Sequence, residues 1–159
     1  MPNSFVIETA MPENSMEIAA MVGDLLNEIM TATGVSAFNF HLRDTATRLD
    51  EFLRLEKYFG FVARSGDRQA LGFITLHQSC ALYAEGVFGT IPEFYVAPQH
   101  RSKGVGVRLL DQAKAFAAGR GWTRLEVTTP PLPQFEQTLA FYEREGFDLA
   151  GGRKLKFSL

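Results

Sequence analysis

Hydrophobic and polar positions repeat with two different periods along the chain, and these periods predict its first elements. Residues 4–9 alternate with a period of two, which is typical of a half-buried strand. From Ile18 to Met30 the apolar residues recur every three or four positions, which predicts an amphipathic helix that ends near Gly34. The same spacing after Asp44 predicts a second helix, with Asp44 as its N-cap.

The middle of the chain has the pattern of consecutive strands. Residues 58–63 and 71–82 are separated by a polar turn that contains Gly66, so they predict a hairpin with a long second strand. Residues 90–96 predict a fourth strand, in which Pro92 removes a hydrogen-bond donor from the ladder. We therefore expect this strand to be irregular, bulged or at a sheet edge near Pro92.

Helices and strands alternate in the last third of the chain. Apolar positions from Leu109 to Ala117 predict a third helix that ends at residues 119–121. The remaining predicted elements are a fifth strand, a short helix and two terminal strands, at residues 123–128, 135–144, 147–150 and 154–159.

The predicted element order is β-α-α-β-β-β-α-β-α-β-β. Three consecutive strands followed by a βαβ unit predict an α/β (α+β) fold with a single mixed, mostly antiparallel central sheet of about seven strands. We expect helices on both faces of this sheet. The sequence has no internal repeat and no dividing linker, so we expect a single domain over residues 1–159.

Composition and charge narrow the classes of function. The 159 residues are 46% hydrophobic and 21% charged, which is the composition of a globular protein. A net charge of −2 gives no electrostatic footprint for nucleic acid. One cysteine excludes an internal disulfide, and the three scattered histidines lack metal-ligand spacing. With no secretory signal pattern and no long apolar run, we expect a cytoplasmic protein without a membrane partner.

The candidate chemistry lies at residues 101–106 (RSKGVG), between the fourth strand and the third helix. A helix N-terminus presents unpaired backbone N–H groups and the positive end of a dipole. Gly104 and Gly106 would let a bulky anion approach those amides without a Cβ contact, while Arg101 and Lys103 add positive charge. The segment predicts a phosphate or pyrophosphate site. A tight connection with solvated basic residues is the plainer alternative.

The spacing of this segment excludes two common phosphate loops. A P-loop needs Gly-Lys followed by Ser or Thr, whereas the order here is Lys103-Gly104. A dinucleotide fingerprint needs a third glycine where Leu109 stands. Glu126 does follow Gly106 at the distance that such a fingerprint favours, but the preceding elements are not βαβ.

Two motifs in sequence order carry a family resemblance. The first is Arg-x-x-Gly-x-Gly at residues 101–106, after a strand that ends Val-x-Pro, and the second is residues 141–147 (FYEREGF). Together they resemble the GNAT superfamily of N-acetyltransferases, whose chains contain the first motif and end in Tyr-x-x-x-Gly-Phe. The element order also matches from the first strand to the last. The resemblance implies acetyl-CoA as co-substrate, no metal, and a pantetheine arm that pairs with the fourth strand where it splays from the fifth.

The resemblance also implies roles for individual residues. Tyr142 is the implied acid that protonates the leaving thiolate, with a core tyrosine as the alternative. Glu93 or Glu126 is the implied general base, directly or through water, although some members need no dedicated base. The implied cofactor-binding residues are Phe94, Tyr95 and Val96 for pantetheine and Arg101, Ser102, Lys103, Gly104, Val105, Gly106 and Val107 for the pyrophosphate.

The implied function is N-acetyl transfer from acetyl-CoA to a primary amine of a small molecule, peptide or protein, by direct attack in a ternary complex. A non-catalytic acyl-CoA-binding sensor on the same fold and a nucleotide-binding protein are the alternatives. Phe135 stands where many members have Asn, so the identity of the acceptor stays open. Sheet edges often support homodimers in the family, and this sequence leaves that assembly open as well.

Overall fold

The computed structural model describes residues 4–159. The chain divides into two compact units, an N-terminal unit that ends at Thr128 and a C-terminal unit that starts at Thr129. The expectation of a single domain stays a prediction. The elements of the N-terminal unit are β1 (Phe5–Thr9), α1 (Ser15–Thr33), α2 (Leu42–Arg54), β2 (Phe59–Ser65), β3 (Ala70–Ala81), β4 (Gly86–Ile91), β5 (Phe94–Val96), α3 (Val105–Gly119) and β6 (Leu125–Val127). The C-terminal unit contains α4 (Glu136–Arg144).

The N-terminal unit is built on one sheet of six strands in the order β1-β2-β3-β4-β6, with β5 also paired to β3. All neighbouring strands are antiparallel except β4 and β6, which run parallel. A parallel neighbour requires a crossover connection, and α3 lies in the connection between β5 and β6. The predicted mixed, mostly antiparallel sheet is confirmed.

Helices cover both faces of this sheet, as the sequence predicts. On one face, Ile18 of α1 and Leu49 of α2 belong to the same buried cluster as Phe73 of β3. On the other face, the ring of Phe116 in α3 lies 4.9 Å from that of Phe59 and 5.7 Å from that of Phe61. Successive residues of a strand point to opposite faces, so one strand supplies side chains to both cores.

Both predicted N-terminal helices are present, and their ends have local causes. Gly34 ends α1 in the left-handed region at φ 69°, where its N–H donates to Met30 O. The second helix starts earlier than predicted, because His41 is the N-cap and Asp44 lies within the first turn. In that position the Asp44 carboxylate stabilises the positive end of the helix dipole instead of capping it.

The sequence interpretation of the strands needs two corrections. The predicted fourth strand at residues 90–96 is two strands, because β4 starts at Gly86 and the pairing is interrupted between Ile91 and Phe94. The two terminal strands predicted at 147–150 and 154–159 are wrong, since no strand follows Val127 within residues 4–159. Residues 154–159 do alternate, but alternation predicts only which side chains share a face, and a strand also needs a partner. The sheet therefore has six strands, where about seven were expected.

No helix among residues 4–159 has the length and apolar character that crossing a bilayer would require.

Candidate active site

The interruption of the sheet at Pro92 divides one long strand edge into two parts. Residues 77–81 of β3 pair with β4, and residues 72–74 pair with β5. Between these ladders, Thr75 N–H donates to Glu93 O at 2.9 Å, so β3 still holds the chain through the break. Pro92 is the local cause that the sequence predicts, since it cannot donate to a ladder.

Strand β5 starts beyond the point where β6, the neighbour of β4, ends. Strand β4 also pairs with β6, but β6 ends at Val127, which lies opposite Ile91. Among the described strands, β5 pairs with β3 alone. The sheet therefore diverges after Ile91, which is the local geometry that the family resemblance implies.

The hydrogen bonds between β3 and β5 show which main-chain groups of β5 point away from β3. Ala97 N–H donates to Leu71 O at 2.9 Å, so Ala97, like Glu93, directs its backbone towards β3. Since alternate residues of an antiparallel strand face the same neighbour, Tyr95 also directs its backbone towards β3. The main-chain groups of Phe94 and Val96 point away from β3. Of the three residues predicted for pantetheine, Phe94 and Val96 have the suitable direction.

The loop that follows β5 leads directly into the N-terminus of α3. Ser102 and Gly104 have positive φ values of 61° and 84°, and Gly104 is the N-cap of the helix. Gly104 has no side chain that could bond the first amides of the helix. A Cβ at Gly104 would meet no atom within 4 Å, although its backbone conformation would be strained. The loop from Arg101 to Gly104 is exposed, so the first turn of α3 is open to an anion.

The Arg101 side chain is paired with neighbouring groups of the protein. Its Nη2 and Nη1 donate to the carboxylate of Glu28 on α1 at 2.6 and 3.0 Å, and its Nε donates to Val96 O at 2.8 Å. Its amide N–H donates to Pro98 O at 3.3 Å. The positive charge of Arg101 is thus paired with Glu28, and the side chain connects the loop to β5 and α1. The sequence gives no signal for Glu28, which lies 73 positions away.

Glu93 lies on the face of the sheet that α1 and α2 cover. Its Oε1 accepts from Thr75 Oγ1 at 2.6 Å, and its Oε2 accepts from Tyr58 Oη at 3.4 Å. Burial raises the pKa of Glu93, while the hydrogen bonds from Thr75 and Tyr58 and the charge of His77 act in the opposite direction. Glu93 is therefore a partly buried carboxyl group with defined donors, whose proton affinity is higher than usual.

Glu126 has more exposed surroundings. It lies on β6 opposite Thr90, and the side chain is 40% exposed. Its Oε2 pairs with Arg124 Nη2 at 2.6 Å. The guanidinium of Arg124 lies over the rings of Tyr83 and Phe88 at 5.3 and 5.5 Å. The Glu126 carboxylate therefore already has a cationic partner, whereas the donors to Glu93 are neutral hydroxyls.

Tyr142 is held by the end of α4 in the C-terminal unit. Gly146 N–H donates to Glu143 O at 3.1 Å, Phe147 N–H donates to Tyr142 O at 3.0 Å, and Gly146 has φ 95°. This is a Schellman motif, in which Gly146 supplies the left-handed residue. The Phe147 ring lies 5.3 Å from that of Tyr142, which is the hydrophobic contact that accompanies the motif. The Tyr-x-x-x-Gly-Phe spacing is therefore a helix end that fixes the buried tyrosine.

Burial raises the pKa of Tyr142 well above its ordinary value. The phenol is therefore protonated at neutral pH and has a proton to donate. Phe135, which occupies the position of the Asn in many family members, is the N-cap of α4, and its carbonyl accepts from Leu139 N–H at 3.2 Å.

No group of three or more potential metal-ligating side chains occurs within residues 4–159.

Three solved structures of acetyltransferases are similar to this fold. A predicted acetyltransferase from Clostridium acetobutylicum, solved with acetyl-CoA, is 13% identical with a TM-score of 0.79, covering 98% of this chain and 96% of that one. A GCN5-related N-acetyltransferase from Ralstonia eutropha JMP134 is 18% identical with a TM-score of 0.78, covering 97% and 99%. An aminoglycoside acetyltransferase from an uncultured soil sample is 16% identical with a TM-score of 0.75, covering 99% and 97%.

The family itself is shown by sequence. No curated protein matches the chain significantly. The model of the acetyltransferase (GNAT) domain matches residues 56–149, which is more than half of the chain and includes both motifs. The chain therefore belongs to the GNAT superfamily of acetyltransferases, and the protein is an acyltransferase.

Proposed function

We propose that this enzyme transfers the acetyl group of acetyl-CoA to a primary amine by direct attack in a ternary complex. The observation that carries the proposal is the junction between β5 and α3. There an outward-facing strand edge and the open N-terminus of a helix are joined by the hydrogen bond from Arg101 Nε to Val96 O. A coenzyme with an amide-containing arm and a diphosphate needs these two surfaces side by side.

The diphosphate is proposed to bind at the N-terminus of α3. The loop and first-turn residues from Ser102 to Val107 would donate backbone N–H groups to it, and Lys103 would add positive charge. Arg101 would act by holding the loop, because Glu28 and Val96 already accept the hydrogen bonds of its guanidinium. The amides of the pantetheine arm would pair with Phe94 and Val96 in the manner of an added strand.

The reaction needs a neutral amine and a stabilised oxyanion. We propose that Glu93 takes a proton from the ammonium form of the acceptor, directly or through water, so that the nitrogen lone pair can attack the thioester carbon. An outward N–H of β5 would stabilise the negative oxygen of the tetrahedral intermediate. The C–N bond forms and the C–S bond breaks, the attacking nitrogen releases its second proton to water, and the thiolate is protonated, giving the acetylated amine and CoA; Glu93 and the proton donor then exchange protons with water to return to their starting forms. Glu126 is the weaker candidate because Arg124 neutralises it.

Tyr142 is proposed as the acid that protonates the leaving thiolate. Its raised pKa keeps the phenol protonated, so that it can donate a hydrogen bond to the developing thiolate of CoA and pass on its proton as the C–S bond breaks. The Schellman motif limits the movement of its side chain through the contact with Phe147. Buried aromatic packing alone would also fix a tyrosine, so the role rests on the family motif and is tested by mutation below.

The acceptor is proposed to be a primary amine of a small molecule, peptide or protein. The protein from an uncultured soil sample that shares this fold is an aminoglycoside acetyltransferase, and aminoglycosides are small polyamines. At 16% identity this neighbour shows the fold alone, so the class within primary amines is left to experiment.

A panel of amines tests the proposal most broadly. The purified chain is incubated with acetyl-CoA and representatives of aminoglycosides, polyamines, amino acids and peptide N-termini, and free CoA is measured with a thiol reagent. We expect amine-dependent CoA release with at least one class, and a product heavier by one acetyl group. Binding of CoA without release for any class would favour a sensor. Competition of acetyl-CoA with ATP or NAD in a thermal-shift assay would favour a nucleotide-binding protein.

A further inference from the structure

We propose that Thr75 and Tyr58 are positioning residues that hold the carboxylate of Glu93 in the geometry of a general base. The inference rests on the proposed function, because it needs Glu93 to act on an amine. Neither hydroxyl is implied by the motifs, which lie at residues 101–106 and 141–147. The two residues are separated from Glu93 by 18 and 35 positions.

Thr75 binds Glu93 at both its backbone and its side chain. Its Oγ1 accepts from Glu93 N–H at 3.1 Å and lies 2.6 Å from Glu93 Oε1. The one proton of this hydroxyl has two acceptors on Glu93, the carboxylate Oε1 at 2.6 Å and the main-chain O at 3.3 Å, and the shorter contact favours the carboxylate. Thr75 N–H also donates to Glu93 O at 2.9 Å. The side chain is 2% exposed, so these bonds form away from competing water.

This contact lies at the point where regular pairing stops. Pro92 lies in the break between β4 and β5, which both pair with β3, and Glu93 is the next residue. A residue at such a break lacks the regular ladder that fixes its neighbours. Thr75 holds this single residue through four hydrogen-bonding contacts, two of which share the proton of its hydroxyl. The orientation of the Glu93 side chain is thereby fixed where the strand edge turns outwards.

Tyr58 supplies the second donor from a rigid ring. Its Oη lies 3.4 Å from Glu93 Oε2. The ring lies 5.3 Å from that of Phe52 and is stacked at 5.9 Å on that of His77. An aromatic ring between two others has few alternative rotamers, so its hydroxyl is held towards the carboxylate.

The two donors leave Glu93 able to accept a proton. A carboxylate has about four acceptor positions, and two hydroxyl donors occupy only part of them. Both hydrogen bonds favour the charged form and so lower the pKa of Glu93 against the effect of burial, as the charge of His77 does. The two hydroxyls therefore limit how far burial raises the pKa of Glu93. Removal of either hydroxyl should raise the pKa of Glu93.

The experiment compares the pH dependence of kcat and kcat/KM for the wild type, Thr75→Val, Thr75→Ser and Tyr58→Phe. We expect Thr75→Val to lower kcat about tenfold or more, the effect of losing one hydrogen bond to a charged group. The acidic limb of its profile should move to higher pH. Thr75→Ser retains the hydroxyl and should restore the wild-type profile. Tyr58→Phe should move the limb in the same direction by less, because its contact is longer.

Thr90→Val is the matched control. Thr90 lies on β4 and its Oγ1 is bonded to Ser79 Oγ at 2.9 Å, so the same substitution removes a hydroxyl that does not donate to Glu93. A shift of the acidic limb in this control as large as in Thr75→Val would overturn the inference. If Thr75→Val does not fold, Thr75→Ser and Tyr58→Phe still decide between the two outcomes.

A direct titration separates this inference from the proposed function. Carbon-13 NMR of labelled glutamate side chains reports the pKa of Glu93, with Glu93→Gln for assignment, whether or not an amine is acetylated. A higher pKa of Glu93 in Thr75→Val and Tyr58→Phe supports the inference. Unchanged values in both variants overturn it, even if the wild type is an active N-acetyltransferase. Absence of amine acetylation by the wild type overturns the proposed function, and is seen before any variant is made.

Discussion

Glu93 and Glu126 differ in the groups that surround their carboxylates, and this difference favours one of them as the general base. The sequence places both on adjacent strands and leaves the choice between them open. In the structure Glu93 receives hydrogen bonds from Thr75 and Tyr58, whereas Glu126 is paired with Arg124. A base must be able to accept a proton near neutral pH, so the partly buried carboxyl group with neutral donors is the better candidate.

Substitution of the two glutamates by glutamine should separate their roles. Burial raises the pKa of Glu93, so kcat/KM should fall as the pH drops through that raised pKa and the carboxylate becomes protonated. Glu93→Gln should lower kcat/KM by about 10²-fold and remove this acidic limb. Glu126→Gln should retain the limb and most of the activity. A retained limb in Glu93→Gln would assign the ionisation to another group.

Tyr142→Phe tests the proposed acid. The substitution keeps the ring that packs on Phe147 and removes only the hydroxyl. We expect kcat to fall by about 10²-fold or more, with the Kd for CoA nearly unchanged. Tyr83→Phe is the control, because Tyr83 is 74% exposed and is not part of the proposed chemistry. Equal kcat values for the wild type and Tyr142→Phe would remove Tyr142 from the mechanism.

Several residues of the candidate site could not be predicted from sequence, and the reason is the same for each. Glu28, Tyr58 and Thr75 reach their partners across 73, 35 and 18 positions, and local periodicity contains no information on such contacts. Glu93 and Gly104 could be proposed because each lies in a local pattern, one beside Pro92 and the other at a helix start.

At the scale of elements, the open N-terminus of α3 is the feature on which coenzyme binding depends. Gly104 keeps this N-terminus open in two ways. It adopts a φ of 84°, and its lack of a side chain leaves the space beside the first amides of α3 free. A side chain at this position would be strained by about 1–2 kcal/mol, and a carboxylate would also repel a diphosphate.

Gly104→Asp should therefore weaken CoA binding more than it weakens the fold. We expect the Kd for CoA to rise about tenfold or more, measured by isothermal titration calorimetry. Gly34→Asp at the end of α1 is the matched control, because Gly34 also has a positive φ of 69° and open space around it. Both variants carry the strain of a positive φ, and Gly34→Asp should lose more stability in thermal unfolding because its carboxylate lies at the negative end of a helix dipole. An equal rise of the Kd in both would show that the effect arises from strain alone.

Element prediction succeeded where the signal is local and failed where it is not. Helical spacing and Gly34 located α1 and its end, and Pro92 located the break in the sheet. The start of β4 at Gly86 was missed because its glycines weaken the apolar pattern. The terminal strands were predicted from alternation alone, which does not specify a partner strand.

At the scale of the whole molecule, the N-terminal unit contains the sheet, the proposed coenzyme surfaces and Glu93, while the C-terminal unit contains Tyr142. The fold class was predictable because the order of elements restricts a mixed sheet to few topologies. The arrangement as one domain, a homodimer and a cytoplasmic location stay predictions. Large apolar residues near the C-terminus, such as Leu155 and Phe157, are 91% and 87% exposed. The mass of the protein in solution would show whether it forms the expected homodimer.

An NMR titration of the amide-labelled chain with CoA tests directly whether one ligand occupies both the β5 edge and the α3 N-terminus. We expect saturable shifts of the backbone amides of Phe94 and Val96 together with those from Ser102 to Val107. Saturable binding that leaves both groups of amides unshifted, or no binding at all, would show that CoA does not bind at this junction.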